Sequence, residues 1–224
     1  MPHIPNGPFA MPMFNGFVPR CVRPWIYLFI AFAFQLSGGM YAGAMPHIMG
    51  DTCLMREDVL MIVMCGVVGV NMPFPFLFRF KFRFTNRSLL LVSALVVAAC
   101  NVLCLYTESL PLLCALSYVA GFFKLCGTFE CMSNIQLWMT AKRDFTIFFP
   151  LLYCVVLGNM SLSPWMTEEL TYVFQSWHAM HWFMAALMLL VALIVYAFTH
   201  DFRFMKPLPL VSLDWLRALV GGDG

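Results

Sequence analysis

Between Ser109 and Ala141 runs a stretch as apolar as any in the chain, and inside it stand one lysine and one glutamate, Lys124 and Glu130. Ionisable groups in hydrocarbon cost a few kcal/mol or more each, so they face a cavity or a partner. A glutamate so placed can take up and release a proton, and a lysine can tune it or meet an anionic substrate. On one helix the two lie ~9 Å apart along the axis and point roughly 120° apart. They are not at the i,i+3 or i,i+4 spacing at which side chains meet, so direct mutual neutralisation is not expected. Cys126, Asn134 and Trp138 share a four-residue stripe with Glu130, and Ser133 and Gln136 add polar surface. This reads as a helix lining an aqueous pathway. The competing reading is that each charge locks onto a polar group of another helix and holds the bundle.

Gln35, Ser37 and Tyr41, with Gly38-Gly39 between them, could face the same cavity, Pro46-His47 lying at its outer end; tight helix packing through small residues is the alternative for the glycines. His178 and His181, at i,i+3 beside Trp177 and Trp182, could start a metal site, but no carboxylate cluster or further histidine accompanies them. An interfacial aromatic belt accounts for them better, and no metal is expected. No nucleophile-and-base pair suggests an enzyme, no cofactor is implied, and the nine cysteines include no CxxC pair. In Phe78-Arg-Phe-Lys-Phe-Arg-Phe84 cations alternate with rings. Such alternation can stack bases, but between two membrane spans the phenylalanines anchor at the interface while Arg79, Lys81, Arg83 and Arg87 reach phosphate head groups. Nucleic acid is therefore not expected as a partner; a lipid bilayer is.

The elements that must position these residues follow from composition. The chain has 224 residues, is 62% hydrophobic and 11% charged, and has a mean hydropathy of +0.82; soluble domains are about 45–50% apolar and about 25% charged. A span needs ~20 uncharged, mostly apolar residues. Pro24 to Gly50, Val59 to Phe78, Ser88 to Thr107, Phe145 to Thr167 and Leu170 to His200 carry no Asp, Glu, Lys or Arg. With the stretch around Lys124 they predict six spans, near 25–45, 58–77, 88–106, 111–139, 145–165 and 177–199, in an all-α transmembrane bundle over 23–200. Residues 1–22, rich in proline, read as a mobile lead, with a cleaved signal the rival reading. Residues 201–224 read as a linker and the cut-short start of a seventh span near Val211.

Lys and Arg set the orientation. Arg20, Arg23, Arg79, Lys81, Arg83, Arg87, Lys142, Arg143, Arg203, Lys206 and Arg217 fall on one side, eleven of the thirteen cations. Asp51, Glu57, Asp58, Glu108, Glu168 and Glu169 fall on the other, with only Arg56 against the pattern. Both ends are expected in the cytoplasm.

This layout, with the basic second-to-third loop, Ala44-Met-Pro-His-Ile48, Ser176-Trp177 and Leu213-Asp-Trp-Leu216, resembles the major facilitator superfamily. Phe129-Glu130-Cys-Met-Ser-Asn-Ile-Gln-Leu-Trp138 followed by Lys142-Arg-Asp-Phe145 is similar to a divergent bacterial subgroup of its fourteen-span drug:proton antiporters, the multidrug efflux branch. The family's loop motif would fall at Phe78 to Asn86, where its glycines and Asp are absent. Its fifth-span motif matches only at Pro164, and an Asp common in the first span of the branch aligns near Ser37. The resemblance implies an inner-membrane transporter built of two six-helix halves, this chain being the N-terminal one, with first and fourth helices lining a central cavity. It further implies outward, proton-coupled transport of small amphipathic compounds, the C-terminal half or a second copy completing the machine. A periplasmic adaptor and an outer-membrane channel enter by analogy with efflux pumps. A non-transporting accessory or scaffold membrane protein is the alternative.

Overall fold

Long apolar runs without charges satisfy their backbone groups internally as helices, the form that survives where no water can bond to an exposed amide. The structure, a computed structural model, describes residues 14–19, 21–36, 40–139 and 148–201. These form helices α1 (Arg23–Leu36), α2 (Met40–Gly43), α3 (Met45–Thr52), α4 (Arg56–Asn71), α5 (Leu77–Arg83), α6 (Asn86–Cys104), α7 (Leu110–Met139), α8 (Phe148–Phe174) and α9 (His178–Phe198), with a 3-10 turn at Phe74–Phe76. There is no strand among the described residues, only an isolated bridge between Phe14 and Thr199.

Local chemistry starts and stops the helices. Asp58 Oδ2 accepts from the Met55 amide at 2.9 Å, and with Glu57 it puts negative charge at the first turn of α4, where the helix dipole favours it. Thr85 caps α6, its hydroxyl accepting from the Ser88 amide at 3.2 Å. Cys53 (φ 56°) and Gln175 (φ 51°) turn the chain left-handed just beyond α3 and α8.

Among the described residues, four helical segments are long and apolar enough to cross a membrane: Arg56–Phe76, Asn86–Cys104, Leu110–Ile135 and His178–Phe198. They correspond to the expected second, third, fourth and sixth spans. α1 is apolar and describes 14 residues of the expected first span; near the outer end of that span α2 and α3 meet at Ala44, which opens α3 just ahead of Pro46. The expected fifth span is diluted by Asn159, Ser161, Ser163 and Pro164. α8 also runs nine residues past the expected end at 165, carrying Glu168 and Glu169 within it. Leu193 on α9, Val68 on α4 and Leu157 on α8 point outward at 65%, 57% and 60% exposure, the apolar exterior that a lipid environment requires.

α7 is the axis. It packs on α4, α6 and α1, while α6 packs on α9, and α8 closes against α1 and α2. The α4–α7 seam is made by glycines. A side chain on Gly69 would overlap the Tyr118 carbonyl, and one on Gly121 would overlap the Gly66 carbonyl. Their hydrogens let the two backbones touch, as small residues do between membrane helices. Ser117 Oγ adds a bond to the Ile62 carbonyl, 3.0 Å, across the same seam.

Residues 14–19 depart from the expected loose lead. Phe14 and Val18 are buried, the Asn15 amide bonds to the Phe198 carbonyl at 2.9 Å, and Arg23 bonds back to the Val18 carbonyl at 3.2 and 3.1 Å. The Phe14 ring meets Tyr27 edge-on at 5.0 Å, so burial of two apolar side chains fixes this stretch to the end of α9. Residues 1–13 and 20 of the lead, Ser37 with Gly38-Gly39, Lys142 and Arg143, and residues 202–224 of the expected linker and seventh helix lie outside the described residues.

Candidate functional site

The sequence-picked residues separate into two neighbouring sites strung along α7. The first is a closed polar cluster. Lys81 Nζ donates to Glu130 Oε1 at 3.1 Å and to Asn134 Oδ1 at 2.7 Å. Asn134 Nδ2 donates in turn to Glu130 Oε1 at 3.0 Å and to Asn86 Oδ1 at 2.6 Å, and Asn86 Nδ2 reaches the Tyr27 hydroxyl at 3.0 Å. All five residues are buried. The cluster ties α1, α5, α6 and α7 at one end of the bundle.

Two expectations change here. Lys81, expected to reach lipid head groups with the rest of its loop, is turned inward and only 6% exposed. A buried carboxylate without a counter-ion costs several kcal/mol, and Lys81 is the cation whose stem can reach it. Burial pulls the Lys81 ammonium below the usual lysine range, and the Glu130 carboxylate opposes that pull. Of its neighbours, Arg83 stays exposed and Arg79 is half-buried. Arg87 leans on α9, bonding the Tyr196 carbonyl at 3.0 Å with its guanidinium 4.5 Å from that ring. The second oxygen of Glu130, Oε2, is buried without a hydrogen-bond partner among the described residues.

The second site is a cavity of about 380 Å³ reached by α1, α2, α4, α6, α7, α8 and α9. Lys124, Gln35 and Tyr41 line it, joined by Asn101, Asn159 and His181. Lys124 is 8% exposed and makes no ion pair or hydrogen bond among the described residues. As their spacing implies, it does not meet Glu130. Gln35 Nε2 also donates to Thr128 Oγ1 on α7 at 3.4 Å. The Tyr41 hydroxyl bonds to Cys104 Sγ at 3.6 Å. Trp138 lies on α7, and its side chain is outside the described residues.

His181 does not belong to an interfacial belt. It is buried, its Nδ1 3.0 Å from Asn101 Oδ1, its ring edge-on to Tyr41 and Trp177 at 5.6 Å each. Trp182 is the ring that faces outward, at 57% exposure. Neighbours on a helix diverge by about 100°, so of Trp177, His178, His181 and Trp182 only some could face outward together. Asn86, Asn101 and Asn159 were the overlooked members. Their signal was available, since an asparagine inside an apolar helix needs a partner as a charge does. Asn159 Nδ2 bonds the Phe32 and Val155 carbonyls at 3.2 and 3.0 Å, and the adjacent Ser163 hydroxyl bonds the Leu36 carbonyl, stitching α8 to α1.

Fold and site together define an all-helical protein suited to a membrane, with a cavity whose largely apolar wall carries a few polar side chains inside an apolar exterior. No known protein family matches the chain, and no curated protein matches it.

Proposed function

We propose that this chain is half of a secondary transporter of the inner membrane. It moves small amphipathic compounds, coupled to protons, through the Lys124 cavity. The observation that carries this reading is the cavity itself: α1, α2, α4, α6, α7, α8 and α9 converge on one largely apolar space that holds Lys124, Gln35, Asn101, Asn159 and His181, an arrangement that suits alternating access. The six-span major facilitator half-bundle, both ends in the cytoplasm, is the architecture that suits it, with the shorter α1 and the diluted α8 serving as first and fifth spans. A C-terminal half or a second copy completes the pathway.

Glu130 is the proton carrier in this reading. A proton added at Oε2, which has no hydrogen-bond partner among the described residues, neutralises the carboxylate and removes the attraction that holds Lys81 inward. Proton binding then loosens α5 from α7 and favours the alternative opening; loss of the proton restores the pair. Glu130→Gln keeps the shape and an acceptor for Lys81 but cannot cycle. In proteoliposomes holding the full-length protein under an imposed pH gradient, this variant should insert normally and lose gradient-dependent transport. Transport undiminished in Glu130→Gln removes Glu130 from the mechanism, and wild-type protein that moves no compound under any gradient favours the accessory role.

A further inference from the structure

The cavity has one feature that narrows its occupant. Among the described residues Lys124 is the only formally charged one in its wall, with no Asp, Glu or Arg beside it. The one other carboxylate-lysine combination nearby, Glu130 with Lys81, is closed on itself at 3.1 Å. An ammonium held in the middle of a membrane bundle without a counter-ion is expensive, and the cost falls when an anion arrives beside it. Beside that cation the wall offers one donor fit for a carboxylate's second oxygen. Gln35 contributes an amide. His181 donates from Nδ1 to Asn101 Oδ1, so its buried Nε2, which has no partner among the described residues, is an acceptor rather than a donor to the anion. The rest of the surface is apolar, contributed by Val63, Val97 and Leu116 among others. A volume of about 380 Å³ lies at the small end of the ligand-pocket range of about 300–1,000 Å³.

We infer that the Lys124 cavity binds a small amphipathic organic anion, a monocarboxylate with an apolar ring or chain, through a charge-assisted bond to Lys124. The inference rests on the transport reading of the same cavity and names its substrate class. A cationic compound is disfavoured because the site holds a cation and nothing to neutralise a second. A neutral one leaves the ammonium unpaired. The carboxylate meets Lys124 while its apolar part lies toward the Val63 and Val97 side chains of α4 and α6.

The test is equilibrium binding of 1-naphthoate to the full chain in phosphatidylcholine nanodiscs, with 1-naphthamide as the uncharged match of the same shape. Naphthoate should bind saturably and about tenfold or more tightly than naphthamide, the difference expected of a buried hydrogen bond to a charged group. Lys124→Gln should erase that preference and Lys124→Arg retain most of it. Equal affinity of the two probes for the wild-type chain overturns the inference without need of any variant, as does naphthoate binding unchanged in Lys124→Gln. Repeating the measurement in nanodiscs containing phosphatidylglycerol separates a soluble anion from a lipid head group. Unchanged naphthoate affinity supports the soluble anion, and its loss there assigns Lys124 to lipid and overturns the inference. Binding is read without transport, so the two readings fail separately. Lys124-dependent naphthoate binding in a protein that moves nothing leaves the anion site standing, whereas probes that do not differ remove the anion site whatever transport shows.

Discussion

Lys81 Nζ and Glu130 Oε1 meet at 3.1 Å across 49 positions of sequence. One residue comes from a loop helix rich in cations, and the other from a helix that otherwise reads as membrane core. Their union is shared with Asn134, which bonds to both. The pair is thus one part of a network, and its members have no independent energies.

Removing one partner should cost far more than removing both. Lys81→Met leaves the Glu130 carboxylate buried and uncompensated, an expected loss of about 3–5 kcal/mol; combining it with Glu130→Leu should recover most of that loss. Thermal unfolding of the detergent-solubilised protein measures both. A single variant as stable as the parent would show that the pair is not formed.

The α4–α7 seam should tolerate no side chain at its glycines. Gly121→Val forces its methyls into the Gly66 backbone, and overpacking of this kind costs about 1–3 kcal/mol or separates the helices. Gly158, where a side-chain methyl would meet nothing within 4 Å, is the control: Gly158→Ala should be neutral or slightly stabilising, because alanine is the better helix former. Similar losses for the two substitutions would refute the close approach.

Asn101→Leu should destabilise by about 1–3 kcal/mol, because it leaves His181 Nδ1 buried without its partner. The double change Asn101→Leu with His181→Leu should be milder than the sum of the two single ones. Strict additivity would mean the two side chains are not coupled.

Orientation can be read by labelling with a membrane-impermeant maleimide. With the exposed cysteines Cys21, Cys53 and Cys154 replaced by serine, Arg83→Cys should be modified from the cytoplasmic side only. Tyr106→Cys, in the turn before α7 and 78% exposed, should be modified only from outside. The reverse pattern would overturn the orientation that the cations imply.

Helix-forming segments and their approximate limits were legible in the sequence because a charge-free apolar run near 20 residues long has few alternatives to a helix in a membrane. Lys124 and Glu130 stood out for the same reason, and the spacing between them already argued against a mutual pair. What periodicity could not supply was partnership between distant elements. That Lys81 leaves its run of interfacial cations to meet Glu130 depends on α5 folding back beside α7. That His181 turns inward to Asn101 depends on how α9 is rotated against α6. The extension of α8 through Glu168 and Glu169 was likewise hidden, since a helix that outruns the membrane continues on its own backbone bonds and local Thr-to-carbonyl bonds, such as Thr171 to Thr167 at 2.6 Å. The sequence alone determined which groups could not be left alone in an apolar interior; the tertiary structure decided which of them met each other and which, like Lys124, was left facing open space.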